Sequence, residues 1–353
     1  MSKENVPAED NAPSIGKMSP DRMERLVAGC FGAPSSKVII GPGQGLDAGI
    51  ISLDDGRIMA VAEDPIFPAA GLSLEMFGQF TVHIGASDVA VTGVKPEFMT
   101  YSLLLPPKFP EKDTRTIISS ISETATKLGI TIVGGHTGWY GAVTIPTVGG
   151  ITVWGYAQKD KWISPGGAQD GDILLMTKGP AIEAAALLAV LNKDYLARSM
   201  KADLLERVLR RTDEITVVSD ASVAFKAGGV HSMHDATEGG VLCGLWEISS
   251  SARTPLFADF DKITVPEDIA QCASLLGFDP WQSISEGTLL ASVAPEHVAS
   301  VTKALEDSGS ACFKLGHFDK SLSSSMLTRN GVTTKLPSPG PDQFWDLFAN
   351  PHQ

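Results

Sequence analysis

The chain has 353 residues, 43% of them hydrophobic, and a formal net charge of −13 at pH 7. That is enough apolar material for two cores of ordinary size, and enough negative charge to repel nucleic acid and anionic membranes. No apolar run approaches the roughly 20 residues of a membrane span, and Met1 to Lys17 is too polar for a signal peptide, so a soluble cytoplasmic protein is expected. Cys30, Cys243, Cys272 and Cys312 are scattered without a C-x-x-C pair, which argues against structural zinc.

In chain order, residues 1–17 are polar and expected to be disordered. Ser19-Pro20-Asp21 combines an N-cap, a first-turn proline and an early acid, and starts a short helix through Val27. Lys37 to Ile40, Ala48 to Leu53 and Arg57 to Ala62 read as strands, the last two joined by the turn Asp54-Asp55-Gly56. Leu74, Phe77, Val82, Ala86 and Val89 mark one face of a long helix, and Glu111 to Leu128 is a second. Ile130 to Val133 and Val143 to Tyr156 return to strand.

The pattern breaks at Ser164-Pro165-Gly166-Gly167, placing a first domain at 18–162 and a second at 163–321. The second opens with a strand at Asp172 to Met176 and two helices between Pro180 and Arg211. Helices at Glu238 to Ser250, Pro266 to Leu276 and Pro295 to Ser308 then alternate with strands near Thr254, Thr288 to Val293 and Cys312 to Phe318. Residues 322–353 read as a tail rich in Ser, Thr and Pro, ending in the aromatic cluster Phe344-Trp345-Asp346-Leu347-Phe348.

The functional signal is a set of acids in small, apolar or glycine-rich surroundings. Asp88 sits in Gly85-Ala86-Ser87-Asp88-Val89-Ala90-Val91-Thr92-Gly93. Asp47 follows Gly41-Pro42-Gly43-Gln44-Gly45-Leu46, Asp64 ends Ile58 to Glu63, and Asp235 lies in His234-Asp235-Ala236-Thr237-Glu238-Gly239-Gly240. Taking a carboxylate out of water costs several kcal/mol unless a cation or strong donors meet it, so these positions point to bound metal. There is no P-loop, and although Gly43 to Ala48 fits the relaxed dinucleotide fingerprint, a hairpin rather than a helix is expected after it. His231 and His234 with Cys243 could be drawn as a metal site, but the spacing fits no strong zinc pattern. Lys178-Gly179-Pro180 could aim a cation and helix N–H groups at an anion, or be an ordinary strand-to-helix turn.

Taken together, these segments resemble the superfamily of aminoimidazole ribonucleotide (AIR) synthetase, selenophosphate synthetase, thiamine-monophosphate kinase and the hydrogenase maturation protein HypE. Leu46-Asp47-Ala48, Ala62-Glu63-Asp64, Ser87-Asp88 and Gly134-Gly135-His136-Thr137 carry the resemblance in the first half. In the second, Asp235-Ala236-Thr237-Glu238-Gly239-Gly240 and Ile284-Ser285-Glu286-Gly287-Thr288 lean toward HypE. The resemblance implies a two-domain α/β (α+β) fold: an amino-terminal mixed sheet with helices forming a dimer barrel, and a carboxy-terminal α/β sandwich domain.

It also implies a homodimer using ATP and Mg²⁺ on a small-molecule substrate. Asp47, Asp64, Asp88 and Asp235 would hold metal, with Gly134, Gly135, Thr137 and Lys178 helping to bind nucleotide. Asp235, Glu238 and His136 would act on the reacting groups. Two departures bear on activity. His136 stands where an acid usually helps hold magnesium, and imidazole is the poorer ligand for a hard ion. The sequence also ends Pro351-His352-Gln353, without the terminal cysteine that carries a carbamoyl group in HypE. An oxygen-activating synthetase, a small-molecule kinase and an inactive nucleotide-binding scaffold are the readings this leaves open.

Overall fold

The computed structural model describes residues 15–68 and 71–352. The expected disordered N-terminus lies outside the described residues as far as residue 14, but Ile15 to Lys17 are described and Lys17 is held in place.

The first half contains α1 (Pro20–Leu26), β1 (Val38–Ile40), β2 (Gly49–Ser52), β3 (Arg57–Ile66), α2 (Leu74–Ala90), β4 (Phe98–Leu105), α3 (Glu111–Leu128), β5 (Thr131–Trp139) and β6 (Thr147–Gln158). Its sheet runs β1-β2-β3-β6-β4-β5, antiparallel throughout except for the parallel β4–β5 pair at the edge. Ser73 caps α2 by accepting the Met76 amide, and α3 carries Glu111 and Asp113 in its first turn, Lys127 in its last and a left-handed Gly129 just beyond. Both helices lie on one face of the sheet, where Ile58, Ala60, Met99, Leu103, Ile151 and Val153 are buried. Among the described residues, the opposite face has no helical cover.

The second half contains β7 (Ile173–Thr177), α4 (Ile182–Leu191), α5 (Lys193–Leu196), α6 (Ala202–Arg210), α7 (Val218–Ala227), β8 (Val230–Asp235), α8 (Gly240–Ala252), β9 (Leu256–Asp259), α9 (Glu267–Leu276), β10 (Leu289–Val293), α10 (Val298–Asp307), β11 (Cys312–Phe318), β12 (Met326–Arg329), β13 (Val332–Lys335) and α11 (Phe344–Ala349). The sheet order is β13-β12-β9-β11-β7-β10-β8. It is covered on both faces: Leu174 and Met176 pack toward α8, while Leu175 between them packs toward α7 and α10. This is why β7 and β10 read as continuous apolar runs rather than alternating ones.

Three points differ from expectation. Residues 326–335 form a hairpin that extends the second sheet, where a tail had been expected; its Asn330-Gly331 turn has both residues at positive φ. Helix α7 has no counterpart among the predicted elements. The aromatic cluster forms α11, with Phe344 buried against α4 and its surroundings.

The two halves interlock through α2. Phe80 enters the apolar cluster built on α4, α6 and α9, and Ala90 and Val91 enter the one built on α7, α10 and β10. The Ser87 hydroxyl also accepts the Val217 amide at 3.2 Å. The carboxy-terminal half of α2, which carries Asp88, is thereby pressed against the second sheet. Among the described residues, no helix is long and apolar enough to cross a membrane.

Candidate active site

Each acid reaches the domain junction by a local device. Asp47 rides on the glycine-rich loop before β2, where Gly45 adopts φ +67°. A Cβ there would stand 2.6 Å from the Glu247 carbonyl oxygen, so only glycine lets this loop lie directly on α8. Asp64 is on β3, on the helix-covered face with Ala60 and Ala62. Asp88 is in the last turn of α2. From the second half, Asp235 ends β8, and Glu286 occupies the turn that leads into β10. Gly287 beside it has φ +102° and would carry a Cβ 2.2 Å from the Glu214 carbonyl oxygen.

These five acids form one group at the junction, Asp235 and Glu286 buried and Asp47, Asp64 and Asp88 partly so. Asp64 adjoins Asp88 and Asp235 adjoins Glu286, each pair close enough for the carboxyl groups to interact. Asp47 Oδ2, Asp64 Oδ2 and both carboxylate oxygens of Asp235 and of Glu286 are buried without a hydrogen-bond partner. Carboxylates so placed resist ionisation. Burial, opposed by His234, pushes Asp47 up to about 6, and burial also pushes Asp64 up to about 6. Asp88 is driven well above the ordinary carboxylate range by burial and then by Asp64, Asp235 and Asp47. Glu286 is raised in the same way by burial, Asp235 and Glu183. Glu183, whose Oε2 accepts the Glu286 amide at 3.3 Å, is itself pushed up to about 8 by burial. So much unmet negative charge suits divalent cations, which would displace these protons and use the orphaned oxygens as ligands.

A second tier of charge adjoins the acids. The imidazole of His234 lies between Asp47 Oδ1, 2.9 Å from Nδ1, and Glu247 Oε2, 3.1 Å from Nε2. Burial alone would lower the His234 pKa, but Asp47, Asp235 and Glu247 raise it well above the usual imidazole range. Glu247 is held down at about 2, burial being outweighed by His234 and Lys17, and its Oε1 pairs with Lys17 Nζ at 2.7 Å. Glu238 Oε2 accepts the Lys17 backbone amide at 2.6 Å and Trp345 Nε1 at 3.1 Å. Asp342 accepts the Gly239 amide at 2.8 Å, so the amino-terminal segment and the tail both meet at the loop after Asp235.

Asp47, Asp64, Asp88 and Asp235 are therefore brought together, with Glu238 beside them. His136 is not. Across the sheet Asp64 pairs with Ile151, Ile151 with Tyr101 and Tyr101 with Gly135, three interstrand steps or about 14 Å. His136, one residue on, points to the opposite, uncovered face, and its ring nitrogen meets the Tyr140 hydroxyl. Gly134, Gly135 and Thr137 share this edge strand, so within one chain none of the four reaches the acids. Lys178 is also turned to other partners. Its ammonium is consumed by Asp220 at 2.6 Å and by the carbonyls of Thr216 at 2.7 Å and Gly287 at 2.8 Å, so it braces the Glu286–Gly287 turn instead. His231 pairs with Asp172 at 2.9 Å rather than joining His234.

A two-domain α/β protein whose domains meet at buried acids is what the fold and site define. The chain belongs to the AIR synthase-related proteins: the family's N-terminal domain matches residues 45–157 and its C-terminal domain residues 169–326. Carbamoyl dehydratase HypE of Cupriavidus necator is 29% identical over 276 residues, spanning 74% of this chain and 73% of that protein. A selenide, water dikinase of Myxococcus xanthus is 25% identical over 333 residues, spanning 84% and 89%. Among solved structures, E. coli HypE superposes with a TM-score of 0.68 at 21% identity, covering 81% of this chain and 87% of that one.

Proposed function

We propose that this protein is a cytoplasmic, ATP-dependent enzyme that binds ATP with Mg²⁺ at the domain junction and activates an oxygen of an amide-type or other small molecule by phosphorylation. The observation that carries the proposal is the convergence of Asp47, Asp64 and Asp88 from one domain on Asp235 and Glu286 from the other, with buried carboxylate oxygens left unmet. The orphaned oxygens fit hard divalent ions. Bound there, Mg²⁺ would neutralise the phosphates of the nucleotide and the charge that develops during phosphoryl transfer. Asp47, Asp64 and Asp88 would hold it from the first domain, and Asp235 and Glu286 would complete the site only when the domains are docked. Glu238, beside these acids, would meet the acceptor.

Relatives support this reading. One HypE of the same fold was crystallised in complex with ATP, and AaThiL in complex with AMPPCP and TMP. The same reading takes the molecule to be a homodimer. Val133, Trp139, Tyr140 and Ile145 are exposed on or just after the edge strand β5, beside the uncovered sheet face, and a second copy would cover them. Incubating ATP and Mg²⁺ with a metabolite panel tests the activity. ADP with phosphate supports activation followed by substitution or elimination, and ADP with a phosphorylated product supports a kinase. Tight ATP binding without turnover across the panel would overturn the enzyme in favour of a scaffold.

A further inference from the structure

We propose that Asp47, His234 and Asp235 form a second kind of cation site within the acid group, one that takes a first-row divalent transition ion such as Zn²⁺ through an imidazole nitrogen. This deepens the reading above, on which it rests for the acids being a cation site, but it does not depend on nucleotide or turnover. One ligand atom from each of the three residues lies within 4.8 Å of the others. His234 Nδ1 is 2.9 Å from Asp47 Oδ1 and 3.6 Å from Asp235 Oδ1. Bonds of about 2.0–2.1 Å to a tetrahedral ion separate neighbouring ligand atoms by about 3.3 Å, so the observed spacings bracket what a single ion requires.

Independent evidence comes from what these atoms lack. The side chains are 8%, 2% and 1% exposed for Asp47, His234 and Asp235. Nevertheless Asp47 Oδ2 and both Asp235 carboxylate oxygens have no hydrogen-bond partner, and His234 Nδ1 faces these two acids, so a bound ion would take the place of the imidazole proton between them. The other face of the ring is already built as metal-binding histidines require: Nε2 lies 3.1 Å from Glu247 Oε2, and Glu247 is anchored in turn by Lys17 at 2.7 Å. Three protein ligands leave a fourth position open. A nitrogen among them favours a borderline ion over Mg²⁺, which prefers oxygen and keeps its waters.

The test uses the full chain without nucleotide. X-ray absorption of the protein loaded with one equivalent of Zn²⁺ is expected to show imidazole scattering with oxygen neighbours and no sulfur, which separates this site from Cys243 nearby. Titration calorimetry with Zn²⁺ and Mg²⁺ alone supplies the second arm. His234→Gln should weaken Zn²⁺ by at least about 100-fold, a larger loss than for Mg²⁺, which needs no nitrogen ligand, and Glu247→Gln should weaken Zn²⁺ by about 10- to 100-fold. An all-oxygen or sulfur-containing zinc shell in the wild-type chain overturns the proposal even where the variants do not fold, as does unchanged Zn²⁺ affinity in folded His234→Gln. Failure of Mg-ATP to bind while the imidazole signature persists would instead remove the nucleotide reading alone.

Discussion

Replacing Asp64 by Asn should stabilise the metal-free protein while damaging its nucleotide site. Burial lifts the Asp64 carboxyl from its ordinary 3.8 to about 6. A group raised in the folded state contributes stability that is complete below its unfolded pKa and lost as pH rises through its folded one. At about 1.4 kcal/mol per unit, a shift of about two units means that ionised Asp64 costs the fold about 3 kcal/mol above pH 6 compared with the protonated side chain. Asn has the shape of the protonated acid and does not ionise. Asp64→Asn should therefore gain up to about 3 kcal/mol at pH 8 in chelator, a rise of several degrees in melting temperature, and almost nothing at pH 4. Thermal melts at both pH values, with and without Mg-ATP, read this out. The ligand-induced rise of the wild type should exceed that of the variant. A variant less stable than wild type at pH 8 without metal, or one that gains equally at pH 4, would refute the reasoning.

Phe344→Ala should cost about 3–5 kcal/mol, because the ring is 2% exposed in the cluster beneath α11. Truncation after Leu336 should likewise lower the melting temperature; a truncation that shifted nucleotide affinity at unchanged stability would instead make the tail a lid over the site. Lys178→Met leaves Asp220 buried and uncompensated and should destabilise by about 3–5 kcal/mol, measured by denaturant unfolding; a stable variant with weakened ATP binding would return Lys178 to the nucleotide. Sedimentation at micromolar concentration should give twice the chain mass of 37.2 kDa, and a single species at the chain mass would contradict the dimer.

The four aspartates were legible because each interrupts an apolar or glycine-rich run, where an unpaired charge has no packing reason to be. Most helices and strands were legible from their periodicity. Glu286 is not legible as a site residue: Ser285 beside it and the turn around it make an acid look ordinary, and only the pairing of β10 with β8 sets it against Asp235. The relay from His234 to Glu247 and Lys17 joins side chains 13 and 230 positions apart, which no local pattern encodes.

The same reason undid Lys178, whose strand-glycine-proline setting suggested an anion site until Asp220 claimed the charge. His136 matched a short motif, but strand order and sheet face, which decide whether it meets the acids, are topological. The β12–β13 hairpin was readable from Asn330-Gly331 between β-prone residues, yet the surrounding Ser and Pro masked it.

Calorimetric titration of ATP into the wild type, Asp64→Asn and Glu286→Gln, each with Mg²⁺ and with chelator, tests most directly whether acids from both domains form one metal-dependent nucleotide site. Binding should require Mg²⁺ and weaken by at least about tenfold, or about 1.4 kcal/mol, in each variant. Equal affinity in chelator, or unchanged Mg-ATP affinity in both variants, would contradict it.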